Sequence, residues 1–333
     1  MTARIFVAIA SYADPELPRT VKDCIDMAAM PEQLSFGICA QQDPLAPIDL
    51  DPFKTDARFR LIERPVSESR GGPWARNLVQ SLWRGEPYTL QVDAHMKFEP
   101  SWDTRLIDML EALPAEKPII TMNAPLFYYD QQGRLHRKTE MGVPTTRVSD
   151  WNADYGWAPW FDFGPPNRQS QARTRFINGN FAFSHGQWNI EVPQDPEHYY
   201  WGEEFSVTVR SYTWGYDFFL PDEVVAWHML HTGAPPRRHW EHGEAVIRQR
   251  NAVAFARLHR LVYSPGGYSL GPYGLGPHRT LRDYERYAGF DLTQKRAHPD
   301  VFTGTNPDPV TLHGAADWQK CIEMSEARGL LPA

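Results

Sequence analysis

Asp93 and His95 stand two residues apart at the end of a short apolar run, inside the stretch YTLQVDAHMKFEPSW from Tyr88 to Trp102. Tyr88, Leu90 and Val92 alternate as one face of a buried strand does. On an extended backbone, residues two apart point the same way, so the carboxylate and the imidazole would share one side. Together they are two ligands suited to a divalent cation. Two polar residues at this spacing are common. A strand end whose Asp caps the next turn is the plainer explanation, so the flanking sequence has to decide.

Upstream, ESRGGPWARN from Glu68 to Asn77 is a Gly-containing turn that enters a helix with Pro73 in its first turn. Glycine lets backbone approach a ligand closely, and a helix N-terminus flanked by Arg70 and Arg76 suits an anion such as a diphosphate. Judged alone, it also reads as a surface turn with solvated arginines. Downstream, Asn178-Gly179-Asn180 sets two amides around a glycine. Then follow the acidic pair Glu203-Glu204 in YYWGEEF, and VVAWH, which ends on His228. His231, three residues later, competes with His228 as a ligand. Trp151, Trp157 and Trp160 can stack on a sugar or peptide, or pack. Asp14 and Asp43 read as turn residues.

Composition narrows the class. The 333 residues are 42% hydrophobic and 23% charged, ordinary values for a globular protein with a substantial core. A net charge of -7 disfavours non-specific nucleic-acid binding. No apolar run is long enough to span a membrane. The first apolar run is short for a signal peptide and reads as a buried strand, so a cytoplasmic protein is expected. Cys24, Cys39 and Cys321 are odd in number and far apart, which is neither a disulfide framework nor a structural zinc site. Aromatics at 13% fit either stacking surfaces or a bulky core.

The elements that would position these residues alternate between strand and helix. Strands are expected at Arg4 to Ala10, Leu34 to Ala40, Phe59 to Ile62, Tyr88 to Val92, Pro118 to Met122, Phe176 to Ser184 and Asp222 to His228. Helices are expected at Glu16 to Ala29, Pro73 to Trp83, Trp102 to Leu110, Glu203 to Trp214, Arg237 to Leu261, Arg279 to Tyr287 and Ala315 to Ala327. This order predicts an α/β fold, an open and mostly parallel sheet flanked by helices. Ligands on such sheets sit at the carboxyl ends of the strands, where Ser11, Tyr12, Asp93 and His95 fall. Gln131 to Ala172 reads as a long excursion near the cleft, and Gly266 to Pro277 as a linker or lid.

In order and spacing, IFVAIASY, SRGGPWARNL, QVDAHMKFEPSWD, NGNFAF, YYWGEEFSVTVRSYTWGYDFF and VVAWH resemble the nucleotide-sugar transferases of the GT-A fold. The resemblance spans roughly Ile5 to His231. It is to the Skp1-type family that adds α-linked N-acetylglucosamine to hydroxyproline and, more distantly, to the polypeptide N-acetylgalactosaminyltransferases. It implies a GT-A catalytic domain at 1–235 with a helical C-terminal extension at 236–333 packed on it. It implies a retaining, metal-dependent glycosyltransferase that uses a UDP-sugar, most naturally UDP-GlcNAc, and a hydroxyl acceptor on a protein or glycan. Asp93, His95 and His228 would hold Mn²⁺ or Mg²⁺, with manganese favoured because it tolerates imidazole better. Ser11 and Tyr12 would meet the uridine. Arg70, Gly72 and Arg76 would approach the nucleotide and sugar, and Gly179 and Asn180 would line the sugar pocket. Glu204 matches the family's acidic residue at the donor–acceptor junction. Glu203 stands where the distant relatives have a second glycine, so both glutamates stay in play. An oligomer is compatible with this reading. Two rivals remain at this stage: a hydrolase with Asp93, His95 and His228 around a catalytic water, and a nucleotide-sugar-binding protein without turnover.

Overall fold

A computed structural model describes residues 3–151, 158–230, 243–264 and 270–306. The chain opens with β1 (Ile5–Tyr12), α1 (Leu17–Met27), β2 (Leu34–Gln42), α2 (Asp51–Lys54), β3 (Phe59–Pro65), α3 (Gly72–Gln80) and β4 (Tyr88–Asp93). β5 (Met96–Phe98) follows almost at once, then α4 (Trp102–Glu111) and β6 (Pro118–Thr121). The middle of the chain forms β7 (Leu126–Tyr129), β8 (Leu135–Arg137), β9 (Pro144–Trp151), β10 (Pro159–Pro166) and β11 (Phe181–His185). α5 (Trp188–Glu191), α6 (Glu203–Thr213), β12 (Asp217–Phe219) and β13 (Ala226–Met229) come next. The last described elements are α7 (Glu244–Val262), α8 (Leu281–Ala288), β14 (Phe290–Asp291), β15 (Arg296–Ala297) and α9 (Pro299–Thr303).

Seven strands form the central sheet in the order β12-β6-β11-β4-β1-β2-β3. β11 runs antiparallel to β4 and β6, and the other pairings are parallel. β1 is almost wholly apolar because it is covered on both faces, as the inner strand of a parallel sheet must be. Its register pairs Ala10 with Asp93, so the carboxyl ends of β1 and β4 finish side by side. The core under α1 and α4 includes Val7, Ile9, Val21, Leu90 and Trp102, each at 1% exposure or less. Each such apolar side chain contributes about 1.5–3 kcal/mol relative to an exposed one.

The chain bends at Ala94–His95 and leaves this sheet. β5 then pairs with β13 in a second sheet ordered β5-β13-β7-β8. The histidine strand expected at Asp222 to His228 therefore belongs to a different sheet from Asp93, with His228 opposite Met96. Thr20, buried on α1, fastens the bend. Its hydroxyl donates to the Ala94 carbonyl at 2.9 Å and accepts from the Met96 amide at 2.9 Å.

Three expectations change. The stretch Gln131 to Ala172 carries regular structure, since β9 and β10 form an antiparallel pair. Pro144, Pro159 and Pro166 obscure the pattern in the sequence, yet they lie at strand ends, where a missing N–H costs little. Phe176 to Ser184 narrows to β11, because Asn178 to Phe181 form a turn closed by the Phe181 amide on the Asn178 carbonyl. Near the expected lid at Gly266 to Pro277, the Gly276 amide donates to Thr213 Oγ1 at 2.8 Å, so that end is fastened to α6. α8 begins at Leu281 behind a Thr280–Asp283 capping box. Leu258, Leu261, Tyr284 and Phe290 share one core with Phe176, Phe205 and Val209. The helix expected at Ala315 to Ala327 lies outside the described residues, as do His231 and Trp157. No helix among the described residues is long and apolar enough to cross a membrane.

Replacing Thr20 by the isosteric valine leaves the Ala94 carbonyl and Met96 amide without their partner. The expected cost is about 1–3 kcal/mol, read as a lower urea midpoint at unchanged m-value.

Candidate metal centre and active cleft

Three side chains from distant positions meet where the two sheets diverge. Asp93 ends β4, His95 lies in the bend after it, and His228 is on β13. One donor atom from each lies within 4.8 Å of the others. His95 Nε2 is 2.9 Å from His228 Nε2, and His228 Nε2 is 3.4 Å from Asp93 Oδ2. The pair converges through the bend and not through the pleat of one extended strand.

These spacings fit a divalent cation. Two ligands at right angles with bonds of about 2.1 Å lie about 3 Å apart. Two imidazole nitrogens facing each other also need a proton or a cation between their lone pairs. An O,N,N donor set suits manganese and other first-row divalent ions. The other ring nitrogen of His95, Nδ1, is 2.6 Å from Asp14 Oδ2.

Arg76 joins this centre to the cleft. Its guanidinium bonds Asp93 Oδ1 at 3.1 Å, Glu203 Oε1 at 2.6 Å and the Gly179 carbonyl at 3.0 Å. Burial works against the charge on Arg76, but Glu203 and Asp93 outweigh it and raise its pKa. Burial likewise works against ionised Asp93. The His228 hydrogen bond and the Arg76 charge outweigh it and hold the carboxyl well below its ordinary range. For His95, burial opposes the charged form, while Asp14 and Asp93 more than compensate and raise its pKa. His228 moves down, chiefly through burial.

Gly179 is required by this packing, since a Cβ there would sit 2.9 Å from Arg76 Nη1 and 3.2 Å from Glu203 Oε1. Its amide donates to Glu204 Oε1 at 2.6 Å. Glu203 uses one oxygen on Arg76, while its buried Oε2 has no hydrogen-bond partner among the described residues. Both glutamates, Arg76, Asp93, Gly179, Asn180 and His228 line a cavity of about 260 Å³.

The other expected site residues fall unevenly. Asn180 lines the cavity and bonds Asn123 Oδ1 at 2.9 Å. Ser11 and Tyr12 end β1 one strand over from Asp93. Ser11 is buried at 1% exposure with its hydroxyl unpaired. Arg70 points outward, 4.0 Å from Glu197, and its side chain is 62% exposed. Gly72 begins α3 with open space around it. The glycine that the turn requires is Gly71, at φ +104° and packed on the Tyr199 carbonyl.

Trp160 lines the cavity, whereas Trp151 is core, packed against Phe290. Sequence reasoning missed Tyr200 and Trp201, which form the aromatic wall with Trp160. The Trp160 and Trp201 ring centroids are 4.2 Å apart. It also read Asp14 as a turn residue only. The signal for the wall was present in YYWG, but adjacency in sequence does not say which rings face a cavity.

Sheet order, the switch of chain direction at β4, and a metal-type cluster at the strand ends define a GT-A glycosyltransferase fold. The sequence profile of the glycosyltransferase (GlcNAc) family matches residues 4–52 and 51–294, and the chain belongs to that family. Among solved structures, the chain is similar to GalNAc-T7 crystallised with UDP, GalNAc and Mn²⁺. That match has a TM-score of 0.56 at 12% identity and covers 79% of this chain and 49% of the other. The chain thus spans about half the length of that relative. Weaker matches are S. aureus TarS 1-349 with UDP-GlcNAc and a Pyrobaculum calidifontis mannosyltransferase with GDP-Man and Mn²⁺. Both have TM-scores of 0.41, at 12% and 14% identity. They cover 78% and 100% of this chain and 72% and 77% of the other. No curated protein matches in sequence.

Glu204 supplies a test that needs no ligand. Burial, then the neighbouring Glu203 charge, pushes its pKa from 4.5 up to about 7. Between these values the folded chain holds a proton that the unfolded chain has released. Its stability therefore falls as pH rises through that window. Glu204→Gln removes this dependence while its amide oxygen can still accept from Gly179. Metal-free melts should show the variant gaining on the wild type from pH 4.5 to pH 8.

Proposed function

We propose that this chain is a divalent-metal-dependent, retaining glycosyltransferase that transfers N-acetylglucosamine from UDP-GlcNAc to a hydroxyl acceptor. Hydroxyproline in a protein is the acceptor class proposed. The observation that carries the reading is the meeting of Asp93, His95 and His228 within 4.8 Å beside a cleft with a charged side and an aromatic side. The family's description names GlcNAc. GalNAc-T7, a fold neighbour, was crystallised with UDP and Mn²⁺. Retention and the hydroxyproline acceptor rest on the resemblance to the Skp1-type transferases.

A sugar nucleotide reacts as the bond from the anomeric carbon to the diphosphate breaks. Negative charge grows on the leaving group and positive charge on the ring. When bound, the cation neutralises the leaving diphosphate without proton transfer. Asp93, His95 and His228 would hold it, and Arg76 fixes the Asp93 carboxylate so that Oδ2 faces the imidazoles. Because Arg76 is spent on Asp93, Glu203 and Gly179, its part is to orient carboxylates and not to grip phosphate. Glu203 Oε2, buried and unpaired at the cleft, suits a sugar or acceptor hydroxyl as hydrogen-bond acceptor. The rings of Trp160, Tyr200 and Trp201 suit stacking on the face of an acceptor ring.

Thermal shift with UDP and Mn²⁺ tests the reading, together with UDP release from UDP-GlcNAc in the presence of a hydroxyproline peptide. Stabilisation should need both ligands. Asp93→Ala should abolish it and lower transfer about a hundredfold or more. Stabilisation by UDP that is unchanged in Asp93→Ala would count against the metal site. Release of free sugar, with no transfer to any hydroxyl tried, would favour a hydrolase.

A further inference from the structure

Asp14 lies between β1 and α1, and its two carboxyl oxygens face different elements. Oδ1 accepts from the Glu16 amide at 2.9 Å, which secures the entry to α1. Oδ2 is 2.6 Å from His95 Nδ1. The side chain is buried, with Asp14 at 5% exposure. Ala13, just before it, holds φ at +44°, an uncommon backbone state for an L residue other than Asn or Asp. That turn carries the chain from the end of β1 into α1 and sets the Asp14 carboxyl beside the bend that holds His95. On the far side, the Met229 amide donates to the His95 carbonyl at 3.0 Å, so the backbone of the histidine is held as well.

We propose that Asp14 is the positioning residue of the metal centre, acting through His95. A carboxylate beside Nδ1 requires the proton there, which leaves the Nε2 lone pair directed at His228 and the cation site. This rests on the metal reading above, although the tautomer can be measured without any metal. A residue that merely closes the turn before α1 needs only the Oδ1 contact, whereas here the second oxygen is aimed at the ring.

Asp14→Asn separates the two roles. Its oxygen can keep the Glu16 amide, but its NH₂ then faces Nδ1 and favours the opposite tautomer, with the proton on Nε2. Metal-free melts should stay close to those of the wild type, while the dissociation constant for Mn²⁺ by calorimetry should rise about 10–100-fold. Imidazole ¹⁵N shifts of metal-free protein, taken at alkaline pH where the ring is neutral, should show His95 protonated at Nδ1 in the wild type and at Nε2 in the variant. Should Asp14→Asn not fold, Asp14→Ser keeps a capping oxygen too short to reach the ring and should weaken Mn²⁺ about tenfold. Mn²⁺ affinity within twofold of the wild type, or an unchanged His95 tautomer, would overturn the proposal. If the wild type itself bound no Mn²⁺, the metal reading would fall, and the ¹⁵N shifts would still decide whether Asp14 sets the tautomer.

Discussion

Two imidazole nitrogens held 2.9 Å apart beside a partly buried carboxylate are the constraint around which this molecule is arranged. With neither a proton nor a cation between them, the lone pairs would repel and the rings would rotate away. The fold prevents this from several directions. Thr20 clamps the bend that carries His95, and β5 and β13 pair across His228 and Met96. Arg76 pins the far oxygen of Asp93. The arrangement therefore depends on a proton shared between the rings or on a cation in its place, and three donor atoms within 4.8 Å are arranged to accept the latter.

Arg76 links that centre to the rest of the cleft. One guanidinium satisfies Asp93, Glu203 and the Gly179 carbonyl, so three chain segments far apart in sequence share a single buried positive charge. Removing it would leave the partly buried Asp93 and Glu203 carboxylates without their shared cation, the costly case for a broken ion network. It also explains why Gly179 has no side chain, since the guanidinium occupies the space a Cβ would need. The two glutamates are separated by the same geometry. Glu204 is tied to the Gly179 amide and held partly protonated near neutral pH, while Glu203 keeps one oxygen without a partner.

Much of the fold was legible in the chain. Nearly continuous apolar runs such as IFVAIASY can only be inner strands of a sheet covered on both faces, and strand–helix alternation then requires parallel crossovers. The Asp-x-His pair was visible at a strand end but is a common spacing by itself, and the acidic pair took its role from the resemblance of YYWGEEF. The β9–β10 pair was not legible, because prolines at its ends break the alternation that marks a strand. Nor was the outward course of Arg70, since nothing local decides whether an arginine beside a turn faces a ligand or solvent.

Residue types and spacing alone were enough to specify an open α/β sheet with metal-binding residue types at its strand ends, because periodicity and burial are local consequences of side-chain chemistry. Only the tertiary structure decided that β13 pairs in a second sheet and brings His228 against His95. It alone turned Asp14 from a turn residue into a neighbour of the His95 ring, and put Trp160, Tyr200 and Trp201 on one wall. Those outcomes depend on where the chain bends and which distant segments then touch. Such contacts, 81 and 133 residues apart in sequence for His95 with Asp14 and His228, leave no periodic trace in the chain.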